Sequence, residues 1–238
     1  RRGNGNSAIH FAFSNGTVED DHHEDVYYAK YENDSLQAAN GDRLASLSRW
    51  PVPYDSLDTV YDSSDDDQYD AWVWDIAVDD DGHPAIVWAV FPDDHSHQYW
   101  YGKYDGSQWQ VNKICEAGTA LPNGWVENHY SYGVALDPRD PSVVFAAIGD
   151  GQSGKIHRYE TSDSGRSWAV RDMTGGVHQN ARPRVPVNAH EAHTVIWQRG
   201  PYVNHQTDGW NTELVSVPER GAGQTTQGAT ETPIGGTF

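Results

Sequence analysis

The sequence predicts an all-β fold, a β-propeller of four-stranded blades, on three observations. First, a strand that ends in a stop signal recurs. Tyr28-Ala-Lys-Tyr31-Glu32 returns as Tyr101-Gly-Lys-Tyr104-Asp105, and more loosely as His157-Arg-Tyr159-Glu160-Thr161. Self-similarity at a spacing of roughly 50–60 residues marks a radially repeated β architecture. Second, the chain holds 10 Trp and 13 Tyr against single Met and Cys residues, and aromatic side chains suit pleated, half-buried surfaces. Third, no 3.6-residue apolar stripe of useful length interrupts the strand pattern.

The elements follow in order. A first segment, about 8–38, has strands at Ile9–Phe13 and Val26–Tyr31, joined by the polar stretch Ser14 to Asp25. A second, about 71–116, has four: Trp72–Val78, Ala85–Val90, Tyr99–Tyr104 and Trp109–Ile114. Asp81-Gly-His-Pro84, Pro92-Asp-Asp94 and Asp105-Gly106 supply the turns between them. A third, about 129–173, aligns on the second almost without gaps: Ile76-Ala-Val-Asp79 matches Val134-Ala-Leu-Asp137, and Trp109 matches Trp168. A fourth, about 181–217, reads Arg184-Val-Pro-Val187, Thr194-Val-Ile-Trp197 and Trp210–Val215. Residues 218–238 are rich in Gly, Thr and Gln without periodicity, and read as a polar tail after blades spanning 1–217.

Thr161-x-Asp163-x-Gly165-x-Ser167-Trp168 fits the Asp-box turn between the outer strands of a blade. There the Asp satisfies turn amides, Gly takes positive φ and Trp packs between neighbouring blades. The first segment holds only middle and outer strands. The expectation is therefore about three and a half four-stranded blades, a fragment of a seven-bladed propeller.

The formal charge is −19, from 35 acidic and 16 basic residues. Such a surface repels nucleic acid and anionic membranes, so neither is an expected partner. Asp outnumbers Glu by 25 to 10 and only 4 residues are Lys, a bias that points to a halophilic source. Cys115 is alone, so no intrachain disulfide forms. No apolar run is long enough to span a membrane. The expected location is extracellular, although the chain contains no signal peptide.

Several passages together carry a family resemblance. They are Val73–Val78, Asp81-Gly-His-Pro84, Glu127-Asn-His-Tyr-Ser131, Gly133–Pro141, Ala181-Arg-Pro-Arg-Val-Pro186 and Val195-Ile-Trp-Gln-Arg-Gly-Pro-Tyr202. In order and spacing, over about residues 8–215, they resemble the BNR-4 repeat family. That family includes seven-bladed lyases acting on ulvan and on rhamnose–glucuronate linkages. The resemblance implies an acidic polysaccharide as partner and β-elimination as the reaction. A cation neutralises the uronate carboxylate, a base removes the C5 proton, and an acid protonates the leaving oxygen at O4. The family's His-bearing and Tyr/Arg-bearing strands do not occur in this sequence, and by alignment order they fall upstream of residue 1. Where the family carries Asp-Gly-His-Pro after its strand equivalent to Phe11–Phe13, this chain reads Asn15-Gly16-Thr17-Val18.

The catalytic residues are thus unknown from sequence, and substrate-binding candidates come from inner strands, which line the funnel of a propeller. They are Trp74, Asp75, His129, Tyr130, Arg182 and Arg184. At period two, Arg182 and Arg184 would share one strand face and clamp a uronate or sulfate. The alternative is pairing with Asp on adjacent blades. His129 with Tyr130 offers an acid–base couple, or a bond between blades. Asp75 reads more readily as an acceptor for a neighbour's backbone than as a base. His22 and His23, among Asp20, Asp21, Glu24 and Asp25, are weak metal candidates in what is by default a solvated loop. No cofactor is required, and a structural calcium or zinc ion is the metal role left open. The expected function is part of a polysaccharide lyase cleaving uronic-acid-containing polymer, the fragment alone being inactive. The alternatives are a sialidase-like glycoside hydrolase and a non-catalytic carbohydrate-binding propeller.

Overall fold

The computed structural model describes residues 8–16, 24–46, 48, 51–65, 69–93, 95–121, 129–175, 178–188, 194–201, 211–217 and 232–234. Among the described residues it is all-β apart from short 3-10 geometry, including the turn at Tyr54–Ser56. None of its sheets closes on itself.

The first sheet holds β1 (Ile9–Ser14), β2 (Val26–Glu32), β3 (Ser35–Gln37), β4 (Arg43–Ser46) and β5 (Asp58–Tyr61). β2 pairs β1 along one side, while β3 and β5 share its other side, β3 at Lys30–Glu32 and β5 at Val26–Tyr28. The place of a single outer strand is therefore filled by two short ones, with β4 and the 3-10 turn carried between them. Sequence reading found β1 and β2 but not this split. Its signal was the Asn33-Asp34 pair at φ 50° and 56°, which suits a two-residue hairpin turn.

The second sheet contains two four-stranded antiparallel units. One is β6 (Ala71–Val78), β7 (Pro84–Asp93), β8 (Ser96–Tyr104) and β9 (Trp109–Gly118); the other is β10 (Val134–Leu136), β11 (Val143–Gly149), β12 (Gly154–Glu160) and β13 (Ala169–Asp172). They join at one point, where Gly118 of β9 meets Gly149 of β11. The third sheet is β14 (Asn180–Arg184), β15 (Val195–Arg199), β16 (Glu213–Val217) and β17 (Thr232–Ile234). Two expected boundaries move. The strand expected at 184–187 ends at Arg184 and starts at Asn180, because the backbone of 180–181 is what pairs with β15, and Pro186 has no N–H to extend the ladder. β17 lies within the range read as a tail and pairs β16.

Packing explains the long apolar runs. β7 is buried on both faces, and its side chains alternate between two cores. Ile86, Trp88 and Val90 pack toward the first sheet with Val26, Tyr28 and Val60. Ala85, Val87 and Ala89 pack toward the β10–β13 unit with Val134, Val144 and Ala146. β11 repeats the arrangement, sending Val143, Phe145 and Ala147 to the β14–β17 sheet with Val195 and Trp197. Each core thus lies between consecutive four-stranded units or sheets, the face-to-face stacking of a propeller-like fold. A fully buried Trp such as Trp88 removes roughly 200 Å² from water, about 5 kcal/mol before ordering entropy.

The recurrent tyrosines form an inter-sheet clasp. Trp109 sits edge-on between Tyr104 of its own unit, at 5.7 Å, and Tyr28 of the preceding sheet, at 5.4 Å. Trp168 does the same between Tyr159, at 6.2 Å, and Tyr101, at 5.3 Å. The turn delivering Trp168 is fixed by Asp163. Its Oδ1 accepts from the Ser167 amide at 2.9 Å and the Thr161 hydroxyl at 2.8 Å, and its Oδ2 accepts from the Ser167 hydroxyl at 2.6 Å. Gly165 at φ 87° leaves room for Tyr101. These donors hold the Asp163 carboxyl down from 3.8 to about 2, first through the Ser167 hydroxyl. A depressed folded pKa stabilises above the unfolded value and is lost as pH falls through the folded one. Acid titration of stability should therefore show a component between pH 3.8 and about 2 that Asp163→Asn lacks. Identical acid limbs in thermal melts of the two proteins would refute it.

Candidate functional site

The end strands β6, β10 and β14 converge, β10 lying against both others. Two irregularities face each other there. On β6 the register shifts between Val73 and Asp75, leaving Trp74 as the extra residue of a bulge. On β14 it shifts between Ala181 and Arg184, and Arg182 takes φ 56°. Bulges of this kind re-aim side chains and collect at sites. Between them lies Gly133 at φ 109°, where an added Cβ would come within 3.1 Å of both the Trp74 ring and the Arg182 Cα. The two bulges can approach because residue 133 has no side chain.

The predicted candidates divide. Trp74 and Arg184 come together: the Arg184 guanidinium lies over the Trp74 ring, 5.3 Å from its centroid, and Nη1 donates to the Val134 carbonyl at 3.4 Å. Arg182 does not share a regular strand face with Arg184, because the bulge breaks the period-two alternation on which that expectation rested. Its amide donates to the Tyr132 carbonyl at 2.6 Å, holding β14 against the segment that enters β10. Asp75 is a backbone acceptor: Oδ1 takes the Ile76 amide at 2.9 Å and Oδ2 the Leu136 amide at 3.2 Å, tying β6 to β10.

His129 and Tyr130 gather on Trp72, with ring centroids 5.5 and 6.1 Å from it and 5.1 Å from one another. Sequence reading missed Trp72, although it lies two residues before Trp74 on the same strand. It also missed the anchors behind this segment. Nδ1 of buried His97 lies 2.9 Å from the Ser131 hydroxyl, and the Tyr99 hydroxyl accepts the Gly133 amide at 2.7 Å. Burial raises the Tyr99 pKa well above its ordinary value, so this hydroxyl stays protonated. It donates in turn to the Ala147 carbonyl at 3.0 Å.

A cavity of about 580 Å³ opens beside this array, lined by Ala12, Phe13, Ser14 and Gly16 on one side and residues 72–76 of β6 on the other. Its size lies within the range of small-molecule sites. The Ser14 hydroxyl braces the far wall, donating to the Ala71 carbonyl at 3.0 Å and accepting from the Val73 amide at 3.2 Å. Trp72 and Trp74 give the wall stacking surfaces, and the Arg184 guanidinium lies over the Trp74 ring. That combination suits a sugar carrying an anionic group.

Other titratable groups lie apart from it. His22 and His23 fall outside the described residues. Among the described residues, Asp79, Asp81 and His83 form the one cluster of metal-ligand type. The Lys103 ammonium bonds the Asp79 carboxylate and the His83 carbonyl, so a cation already occupies this corner. Burial alone would raise the Asp79 pKa, but Lys103 and the local amides outweigh it and hold the carboxyl low. The Cys115 thiol is pushed up to about 11 by burial and is no nucleophile near neutrality. Buried His10, pushed down to about 4 chiefly by burial, contacts the Tyr28 hydroxyl at 2.7 Å and belongs to the packing of the first sheet.

Comparison with known proteins fits this architecture. Two solved structures superpose on nearly the whole chain, both described as ulvan lyases of a polysaccharide lyase family, PL25. The one bound to -[GlcA(1-4)Rha3S]- matches with a TM-score of 0.65 and 13% identity, over 98% of this chain and 52% of its own. The other gives a TM-score of 0.59 and 12% identity, over 95% of this chain and 54% of its own. At such identity the likeness is one of fold, and the chain spans about half the length of each structure. A search of the curated proteins returned no match. The model of the BNR repeat-containing family matches residues 2–117, from before β1 to the end of β9. Over that segment, just under half of its length, the chain is similar to the BNR repeat-containing family, BNR-4.

Proposed function

We propose that this chain is the carbohydrate-binding part of a polysaccharide lyase acting on uronic-acid-containing polymer by β-elimination. The observation that carries the reading is the meeting of two bulges across Gly133, which sets Trp74 and Arg184 together beside a cavity lined by Trp72 and Trp74, with His129 and Tyr130 packed on Trp72. Aromatic faces stack on the apolar faces of sugar rings, and guanidinium pairs with carboxylate in fork geometry. A uronate held this way has its carboxylate charge offset, the first requirement for making C5–H acidic. Arg184 and Arg182 would supply that charge, the two Trp rings would orient the chain, and Asp75 would keep β6 and β10 aligned. The likeness to an ulvan lyase bound to a glucuronate–rhamnose sulfate oligomer supports this substrate class. So does the match of residues 2–117 to the BNR repeat-containing family. The seven-bladed ring and the extracellular location belong to the same reading, since such polymers are met outside cells. Among the described residues no helix is long and apolar enough to cross a membrane.

A binding role without catalysis is the second reading. Asp75 is engaged with backbone amides, and the His129 and Tyr130 rings stack on Trp72. The full-length protein, incubated with a panel of uronate polymers, should give rising ultraviolet absorbance from a new C4–C5 double bond. Retention of the polymer without that rise favours the binding role. Neither retention nor absorbance on any polymer of the panel removes both.

A further inference from the structure

We propose a second anionic-sugar site on the outer rim, remote in sequence from the β6 groove and built on the insertion that splits the outer strand of the first sheet. β4 and the 3-10 turn enclose a cavity of about 630 Å³, lined by Arg43, Leu44, Ala45, Ser46, Ser48, Val52, Pro53 and Ser56. Three features make it a site for an acidic sugar. The first is Arg43. Lys30, Lys103, Lys113, Arg139, Arg158 and Arg199 each pair with a carboxylate, as expected in a chain of charge −19. Arg43 has no carboxylate partner among the described residues, even though Asp42 precedes it and Asp55 lies on the same turn. The Asp42 carboxylate instead accepts from Asn40 Nδ2 at 2.8 Å.

The second feature is a row of hydroxyls. Ser46 and Ser48 Oγ lie 3.0 Å apart and so share one proton, leaving the other free to donate, and Ser56 Oγ donates to the Pro53 carbonyl at 2.7 Å. Each oxygen keeps acceptor capacity for a sugar hydroxyl. The third is an aromatic edge. Tyr54, within the turn between Pro53 and Ser56, is 50% exposed, and its ring is braced by Tyr27 at 5.5 Å. Guanidinium and hydroxyls lining a cavity of this size, with a partly exposed ring on the adjoining turn, are the complement of one or two sugar units bearing carboxylate or sulfate. The sheet does not need this insertion for its own pairing, because β3 and β5 alone continue the ladder on β2.

The test is titration of the whole chain with a glucuronate-containing tetrasaccharide, reading the Arg43 Nε–H resonance together with calorimetry. A sulfated neutral-sugar tetrasaccharide and an unsulfated neutral one run in parallel and separate carboxylate from sulfate recognition. The expected result is two binding events. Trp74→Ala removes the groove event and leaves the rim event, which Arg43→Ala weakens by about tenfold or more and Arg43→Lys weakens less. The neutral tetrasaccharide should not move the Arg43 resonance. A single event removed by Trp74→Ala overturns the rim site and leaves the groove. A single event removed by Arg43→Ala does the reverse, and no event overturns both. Arg43 is exposed, so its variants should keep the parent's near-ultraviolet circular dichroism.

Discussion

Gly149→Ala is expected to lower stability by about 3 kcal/mol, which is roughly a 10 °C fall in melting temperature for a chain of this size. A Cβ at this position falls inside the ring of Tyr132, a fully buried residue at the start of the core between the β10–β13 unit and the β14–β17 sheet. Neither group has room to move. Gly118, across the junction, is as constrained: its φ is 81° and a Cβ there meets the Gly149 carbonyl. Gly118→Ala should therefore cost as much, adding left-handed backbone strain to the collision. Gly82 provides the control, since its φ is 86° but nothing lies within 4 Å of its would-be Cβ. Gly82→Ala carries backbone strain alone, about 1 kcal/mol. Urea melts of the three variants separate collision from strain. If Gly149→Ala falls no further than Gly82→Ala, the packing account of the junction is wrong.

Trp74→Ala is expected to weaken binding of a glucuronate oligosaccharide by about 30-fold, the scale of a central aromatic contact of about 2 kcal/mol. Trp74→Phe should recover most of it, because the stacking face survives. Arg184→Ala should weaken binding of the uronate oligomer and leave any affinity for a neutral one unchanged. Since the guanidinium lies over the indole, the two changes should not add, with a coupling of about 1 kcal/mol. Gly133→Ala changes no ligand-facing group, yet it should reproduce the loss by pushing Trp74 and Arg182 apart. Unchanged affinity in Gly133→Ala with a stable fold would show that the bulges do not shape the site.

Much of the fold was legible because its signals are local. Ala85–Val90 is an apolar run bounded by turn residues, and burial on both faces of β7 is what such a run requires. The 59-residue offset between Trp109 and Trp168 reflects the same clasp made twice. The split of the outer strand into β3 and β5 was not legible, since three- and four-residue strands carry almost no periodicity. In the candidate site, inner-strand position picked out Trp74, Arg184, His129 and Tyr130. Asp75 accepts the Leu136 amide, the kind of backbone contact its position suggested. The relation of Arg182 to Arg184 was misread, because a period-two argument presumes a regular strand and β14 carries a bulge. Nothing in the sequence joined Gly133, Tyr99 and His97 to one another or to the candidate site. Their importance lies in contacts between segments far apart in the chain.

The tyrosine–tryptophan clasps set how the molecule comes apart. Each ties one four-stranded unit or sheet to the one immediately before it in the chain, and each apolar core likewise lies between consecutive units. Couplings that reach only the nearest neighbour give the statistics of a one-dimensional array, with stability divided among units and the interfaces between them. Loss of a terminal sheet removes one interface and leaves the remainder intact, whereas loss of an internal unit severs two. Opening should begin at the ends and propagate inward as a fraying front, and the interior units around β7 and β11 should hold the slowest-exchanging amides of the chain.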